Sequence, residues 1–255
     1  MTAGSAPRRS AAGFGVFTLV MLALFIGLGV WQLQRRVEKH ALIAALTERL
    51  AAAAEALPPP AQWGALTPAA DEFRRVHFTA TYAPLPDAMV YSSGSAIRGD
   101  ISGPGTWAFL PARLPDGRTV VIDTGFVENA MLDRSQQDRV VSRLVTGAPV
   151  MLTGYLRFPE KAGMLTPAEN PVKRLWFTRD HLAMARALGW DKDGGGLTPF
   201  YIDLESPAPP SGIPKPGPLE VHLKDDHMQY AITWFTLAGA VAVAFGAWWR
   251  TQRRA

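Results

Sequence analysis

The sequence predicts an α+β membrane protein in which two transmembrane helices flank a largely antiparallel, extracytoplasmic β domain. Two uncharged apolar runs, one near each end of the 255-residue chain, predict the helices. Between them, short stretches of alternating apolar and polar residues predict strands. The chain also contains 23 glycines and 21 prolines, which is typical of many turns between short elements.

The first apolar run covers residues 11–34 without a charged side chain. A bilayer core needs roughly 20 apolar residues in a helix, so we place the first span at residues 13–34. A cleaved signal peptide is the alternative, but it would have a shorter apolar core and small residues at a cleavage site. Trp31 and a pair of arginines close the run instead, which favours a retained helix with an interfacial anchor.

The second apolar run begins at Tyr230 and closes with Trp248 and Trp249, so aromatic residues mark both membrane interfaces. We place this span at residues 229–249. Three arginines follow it in the tail, residues 250–255, and the positive-inside rule places that tail in the cytoplasm.

Two spans then place the N-terminal tail, residues 1–12, in the cytoplasm as well. The sequence lacks an Arg- and Ser-rich presequence, which favours a bacterium over a mitochondrion. We therefore predict a multi-pass protein of the bacterial inner (cell) membrane with a periplasmic central domain.

Small residues recur at four-residue spacing in both runs, which would let helix backbones approach closely. The alternative is that Ala and Gly are simply common in these segments. The residues concerned are Ala23, Gly27, Ala238, Ala242 and Gly246.

Between the spans we expect a helical extension at residues 35–57, because Leu42, Leu46 and Leu50 repeat near a 3.6 period before three prolines. The β-rich domain follows at residues 58–228, with a Pro-rich linker at 206–218. Asp116-Gly117 is a hairpin signal inside it. The strand candidates are Arg74–Tyr82, Ala88–Tyr91, Thr106–Leu114, Thr119–Asp123, Val150–Arg157, Leu175–Thr178 and Phe200–Leu204, and a short helix is expected at Arg179–Leu188.

The composition excludes several kinds of site. No cysteine is present, so disulfides and thiolate metal sites are excluded. The formal net charge of +4 is accounted for by arginines in the tails and no binding motif accompanies it, so we expect no nucleic-acid partner. Neither an H-E-x-x-H pair nor a G-x-S-x-G nucleophile motif occurs, and the sequence therefore offers little support for an enzyme.

One histidine differs from the other four in its position. His227 lies three residues before the second apolar run, with Tyr230 and Trp234 at i+3 and i+7 on a similar helical face. Imidazole is a usual axial ligand of haem iron, and flanking aromatic rings suit an apolar porphyrin. On the residues alone, a histidine at the interface is more often a plain polar anchor.

Two motifs, GVWQLQRRVEK at residues 29–39 and HMQYAITWF at residues 227–235, carry a resemblance to the Surf1/Shy1 family, and the resemblance extends from about residue 13 to residue 250. The first motif resembles the family's Gly-x-Trp-Gln-Leu-x-Arg signature, which closes the first span. The second motif resembles the family's second signature, which opens the last span. Three further segments match in order, at residues 116–127, 170–180 and 199–202.

The chain also departs from the family pattern. Thr124 stands where the family usually has Arg, and Glu128 where Pro is common. Asp225-Asp226 stands where Asn-Asn usually precedes the histidine. These departures indicate a divergent branch.

The resemblance implies an assembly factor for haem–copper cytochrome c oxidase, which assists delivery of haem a to the catalytic subunit or its stabilisation there. The implied partners are that catalytic subunit, haem a synthase and membrane lipid. Carried over by position, His227 becomes the candidate ligand of the haem iron. The further candidates for cofactor binding are Trp31, Gln32, Arg35, Tyr230 and Trp234.

Two alternatives stay open at this point. The first is a membrane scaffold that binds the oxidase catalytic subunit and never touches haem. The second is a membrane-anchored hydrolase, which would need His, Asp and Ser side chains clustered in a cleft.

Overall fold

The computed structural model describes residues 8–95, 97–128, 134–192, 195–220 and 225–254. The chain divides into two compact units. The helical unit comprises residues 1–44 and 223–255, and the β unit comprises residues 45–222.

Two long helices account for the helical unit. Helix α1 spans Arg8–Ala51, its last residues belonging to the β unit, and helix α5 spans His227–Arg254. Both are long and apolar enough to cross a membrane, and the predicted spans lie within them. The prediction of two candidate membrane helices flanking a β domain is therefore confirmed.

Aromatic contacts pair the start of α1 with the end of α5. The Phe14 and Trp248 rings lie 4.6 Å apart edge to face, and the Phe25 and Trp234 rings stack at 5.7 Å. Gly29 is buried, and a β-carbon there would lie 2.6 Å from the Phe235 ring. The two helices therefore run antiparallel and approach closely where α1 carries a glycine.

The predicted small-residue faces are confirmed only in part. Ala238 is buried, but Ala23, Gly27 and Ala242 are exposed. Because aromatic rings fill much of the contact between the helices, small residues are needed only where a ring meets the opposite backbone.

The helical extension predicted at residues 35–57 is wrong beyond Ala51, where α1 ends. The short strand β1, Glu55–Ala56, pairs in parallel with Val76 and His77 instead. The backbone N–H of Leu57 also donates to the carbonyl of His77, at 3.1 Å. Pairing with the sheet overrides the helix propensity of the alanines at 51–54.

The β unit contains eight described strands, joined by short helices. The strands are β1, β2 Arg75–Tyr82, β3 Ala88–Ser92, β4 Gly105–Arg113, β5 Thr119–Glu128, β6 Val150–Arg157, β7 Leu175–Trp176 and β8 Leu197–Ser206. The helices are a 3₁₀ helix Pro60–Ala65, α2 Pro68–Asp71, α3 Arg134–Ser142 and α4 His181–Leu188. Sequence patterning did not predict α3, whose composition is mostly polar.

The sheet order is β1-β2-β6-β8-β5-β4-β3-β7, and β2 also pairs with β4. That extra pairing joins the two ends of the run β2-β6-β8-β5-β4, so these five strands close on themselves. Within the closed run only β5 and β8 are parallel. The prediction of a largely antiparallel sheet is confirmed, with parallel pairs also at β1–β2 and β3–β7.

Buried side chains form two clusters. One includes Val76, Leu110 and Ile122, and the other includes Trp107, Trp176 and Trp190. Strands such as β4 and β5, whose residues are nearly all buried, contribute to both clusters. Their centres, residues 107–110 and 120–122, therefore read as short apolar runs rather than as alternating stretches.

Turn and cap chemistry agree with the sequence. Gly117 adopts φ +85° in the predicted hairpin. Asp180 accepts two backbone N–H bonds at the start of α4, and Gly189 ends that helix at φ +73°.

Strand β5 runs past its predicted end through Gly125, where Lys215 packs against the backbone and pairs with Phe126. Part of the Pro-rich linker therefore lies on the sheet.

Candidate functional site

The start of α5 is fixed by a carboxylate. Asp225 Oδ1 accepts the backbone N–H of His227 at 3.0 Å, which caps the helix. Asp225 Oδ2 lies 2.6 Å from His40 Nε2 and 3.8 Å from Arg36 Nε, both on α1. The His227 N–H, followed by His40, lowers the pKa of Asp225. The carboxylate therefore links the first turn of α5 to α1.

The His227 imidazole is oriented by Gln32. His227 Nδ1 lies 2.7 Å from Gln32 Oε1, and an amide oxygen only accepts hydrogen bonds. Nδ1 is therefore the protonated nitrogen, and in the neutral ring Nε2 carries a lone pair. A second partner that fixes the tautomer in this way is typical of metal-ligating histidines.

A cavity of about 350 Å³ adjoins His227. Arg35, Glu38, Lys39 and Leu42 of α1 complete its lining. Arg35 forms an ion pair of 2.7 Å with Glu38. Two cations, one carboxylate and an imidazole therefore line this cavity. Such a lining could receive an acidic group beside the imidazole.

The remaining predicted site residues lie on the same two helices. Trp234 is half-buried against Phe25. Trp31 and Tyr230 are 49% and 55% exposed, and no described side-chain contact joins either of them to His227. The structure thus brings together His227, Gln32 and Arg35, while the two exposed rings face outward.

Sequence reasoning missed His40 as a neighbour of the site. Its partner Asp225 is 185 positions away, so no local pattern connects them. The available signal was the four-residue spacing of Arg36 and His40, which places both on one face of α1.

The imidazole of His227 is chemically compatible with a bond to haem iron. Among the described residues, no group of three or more His, Cys, Asp or Glu side chains could hold a metal. A porphyrin brings its own four nitrogens, so a single imidazole suffices as the protein ligand. Nε2 of His227, which forms no hydrogen bond with the described residues, is the nitrogen that could act as that ligand.

The β unit also contains a cluster of buried charged side chains. Asp203 Oδ2 lies 3.3 Å from Arg157 Nη1 and 3.7 Å from Arg179 Nη1. Arg157 also binds Glu72 at 2.5 Å. Burial, and then the neighbouring Asp203, raise the pKa of Asp123 to about 8. Most of these groups pair with one another, as in a structural ion network, but Asp123 Oδ2 and Asp203 Oδ1 have no hydrogen-bond partner among the described residues.

His181 is the histidine to consider as a catalytic base for the hydrolase alternative. It is fully buried, its Nε2 lies 3.1 Å from the Thr198 carbonyl, and burial lowers its pKa to about 4. A neutral buried imidazole bound to backbone is a packing residue more than a base. No described hydrogen bond joins it to a Ser or Asp side chain.

The fold defines a class of protein in which two candidate membrane helices flank a β domain in the sequence, with a histidine at the start of the second helix. Residues 19–239 match the family model described as the SURF1 family. The chain belongs to the SURF1 family, as the sequence motifs predicted.

Curated relatives agree with this assignment. Surfeit locus protein 1 of Rattus norvegicus is 33% identical over 89% of this chain and 72% of its own length. The Homo sapiens protein of that name is 30% identical over 89% of this chain and 74% of its own. A SURF1-like protein of Monosiga brevicollis is 27% identical over 99% and 94%. None of these names denotes an enzyme.

Proposed function

We propose that this protein assists assembly of haem–copper cytochrome c oxidase by holding haem a for delivery to, or stabilisation in, the catalytic subunit. The observation that carries the proposal is the His227–Gln32 hydrogen bond, which leaves Nε2 of the imidazole able to bind iron. Family membership supplies the context, since the sequence resemblance implies this client.

The residues around His227 have separate roles in this proposal. Haem would supply redox-active iron when bound, and His227 would provide a nitrogen ligand to it. Gln32 accepts the Nδ1–H of His227 and so fixes the orientation and tautomer of the imidazole. Arg35 and Lys39 attract the acidic side chains of the porphyrin. The exposed Trp31 and Tyr230 offer apolar surface to the porphyrin, to lipid or to the client.

The proposed location follows from charge. The arginines after the second span retain the C-terminus in the cytoplasm of a bacterium, so the β unit lies in the periplasm. His227 then lies near the periplasmic surface of the inner membrane. Haem a synthase and the oxidase catalytic subunit, the proposed partners, would exchange haem there.

The test is an absorption spectrum of full-length protein purified in detergent from a strain that makes haem a. We expect a haem a spectrum in the wild-type protein and at least a tenfold loss of bound haem in His227→Ala. His77→Ala is the matched control, because His77 is an exposed histidine on β2. Equal haem in wild type and His227→Ala would refute this ligand. A haem-free wild type that still co-purifies the catalytic subunit would identify the scaffold instead.

A further inference from the structure

The β unit has a cavity of about 510 Å³ that the proposed function does not use. Its apolar lining includes Leu152 and Leu204 from the sheet and Leu144 after α3, with residues 207–211 of the Pro-rich segment as another wall. Small-molecule sites typically have volumes of about 300–1,000 Å³ and mostly apolar linings with few polar groups. This cavity has both properties.

The polar side chains at the cavity are the guanidinium of Arg143 and the hydroxyls of Tyr82, Thr124, Thr146 and Ser211. Arg143 lines it and is exposed, and within the described ranges its guanidinium has no hydrogen bond or ion pair. The buried Tyr82 also lines it, and its hydroxyl has no hydrogen-bond partner among the residues that the structure describes. None of the lining residues is acidic. A cation without a counter-charge beside an apolar surface is complementary to an anion that carries an apolar chain.

Thr124 contributes to the same lining without competing for that anion. It is buried, and its hydroxyl donates to the Ala108 carbonyl at 2.8 Å. The hydroxyl therefore faces its own backbone partner, and the charge complementarity of the cavity depends on Arg143.

We propose that this cavity binds a long-chain fatty acid, with the acyl chain on the apolar floor and the carboxylate at Arg143. Each methylene that leaves water strengthens binding roughly fourfold, so the chain supplies the affinity and the guanidinium supplies the orientation. The site lies wholly within the β unit and is independent of haem binding.

The experiment uses the full-length protein in lipid nanodiscs, so that detergent does not fill the cavity. A palmitic acid analogue with a mid-chain diazirine is added, photolysed and mapped by peptide mass spectrometry. We expect crosslinks in peptides that contain Leu144, Leu152 or residues 207–211, suppressed by excess palmitate. The matching long-chain alcohol, which lacks the charge, should label them roughly fivefold less.

Two variants separate recognition from loss of fold. Arg143→Glu should reduce labelling roughly fivefold or more, because it replaces attraction by repulsion. Arg139→Glu, an exposed arginine on α3 outside the lining, is the matched control and should label like wild type. Ala208→Trp, at an exposed lining position, should block labelling by filling the cavity. Near-UV circular dichroism of the buried tryptophans verifies the fold of each variant.

Three results would overturn the proposal. They are absence of crosslinks in the lining peptides, equal labelling by acid and alcohol, and unchanged labelling of folded Arg143→Glu. The second would indicate a merely apolar groove. None of the three affects the haem proposal, because its test measures haem bound at His227, which lies in the helical unit.

Discussion

At the scale of single residues, the contact between His227 and Gln32 is the most consequential one. The 2.7 Å hydrogen bond selects which imidazole nitrogen keeps its proton. Removing such an orienting partner typically costs 10–100-fold in affinity at metal sites. In the proposed function, Gln32 is therefore a positioning residue, distinct from the proposed ligand His227.

We expect Gln32→Leu to weaken haem a binding roughly tenfold without abolishing it, because the imidazole keeps its place on α5 but loses its fixed tautomer. Spectral titration of purified protein with haem a measures the affinity. Gln34→Leu, an exposed glutamine two positions along α1, is the matched control. If both variants bind equally, Gln32 does not orient the ring.

The two buried aspartates of the β unit differ in their partners. Asp203 contacts two guanidinium groups, and removing one member of a buried ion pair costs about 3–5 kcal/mol. Asp123 lies 4.0 Å from Arg179 Nε and its raised pKa favours the protonated form. We therefore expect Asp203→Asn to destabilise the fold far more than Asp123→Asn, measured by thermal unfolding in detergent.

Asp123 also predicts a pH dependence. Its native pKa of about 8 exceeds the unfolded value of about 3.9, so the native state binds the extra proton between these values. Stability should thus fall as pH rises from 5 to 8, by about 2–4 kcal/mol. Asp123→Asn should flatten that slope, whereas Asp116→Asn on the exposed hairpin should keep it. A wild-type profile that rises with pH would contradict this assignment.

At the scale of elements, the apolar parts of α1 and α5 meet through aromatic rings and Gly29. Because the chain has no cysteine, introduced pairs report the contact cleanly. A short bifunctional thiol reagent should crosslink Phe25→Cys to Trp234→Cys readily, since the native rings at these positions stack at 5.7 Å. Adding Gly29→Leu should lower the crosslink yield severalfold, because a β-carbon there meets the Phe235 ring.

Gly27→Leu provides the control for that substitution. A β-carbon at Gly27 would have no atom within 4 Å, so the crosslink yield should stay unchanged. Equal losses in the two variants would indicate a general effect of a larger side chain. Loss at Gly29 alone supports the close approach of the helices.

At the scale of the whole molecule, the testable property is the side of the membrane on which each unit lies. Val172 in the β unit is 95% exposed, and Gln252 lies in the exposed C-terminal tail. In intact spheroplasts, an impermeant maleimide should label Val172→Cys at once and Gln252→Cys only after lysis. The reverse pattern would place the β unit in the cytoplasm and remove the basis of the proposed function.

The sequence by itself determined the features that depend on local order. Uncharged runs long enough for a bilayer predict α1 and α5, the period-two pattern of Arg75–Tyr82 predicts β2, and Asp116-Gly117 predicts its hairpin. The signatures around Trp31 and His227 identified the family. Each of these signals depends on neighbours within a few residues.

Only the tertiary structure decided what depends on distant partners. The end of α1 at Ala51 follows from pairing with β2, and the closure of the sheet follows from the contact of β2 with β4. The bonds of His227 to Gln32 and of His40 to Asp225 join positions 195 and 185 residues apart. The physical reason is that side-chain direction and burial are set by elements packing in space, which no window of sequence contains.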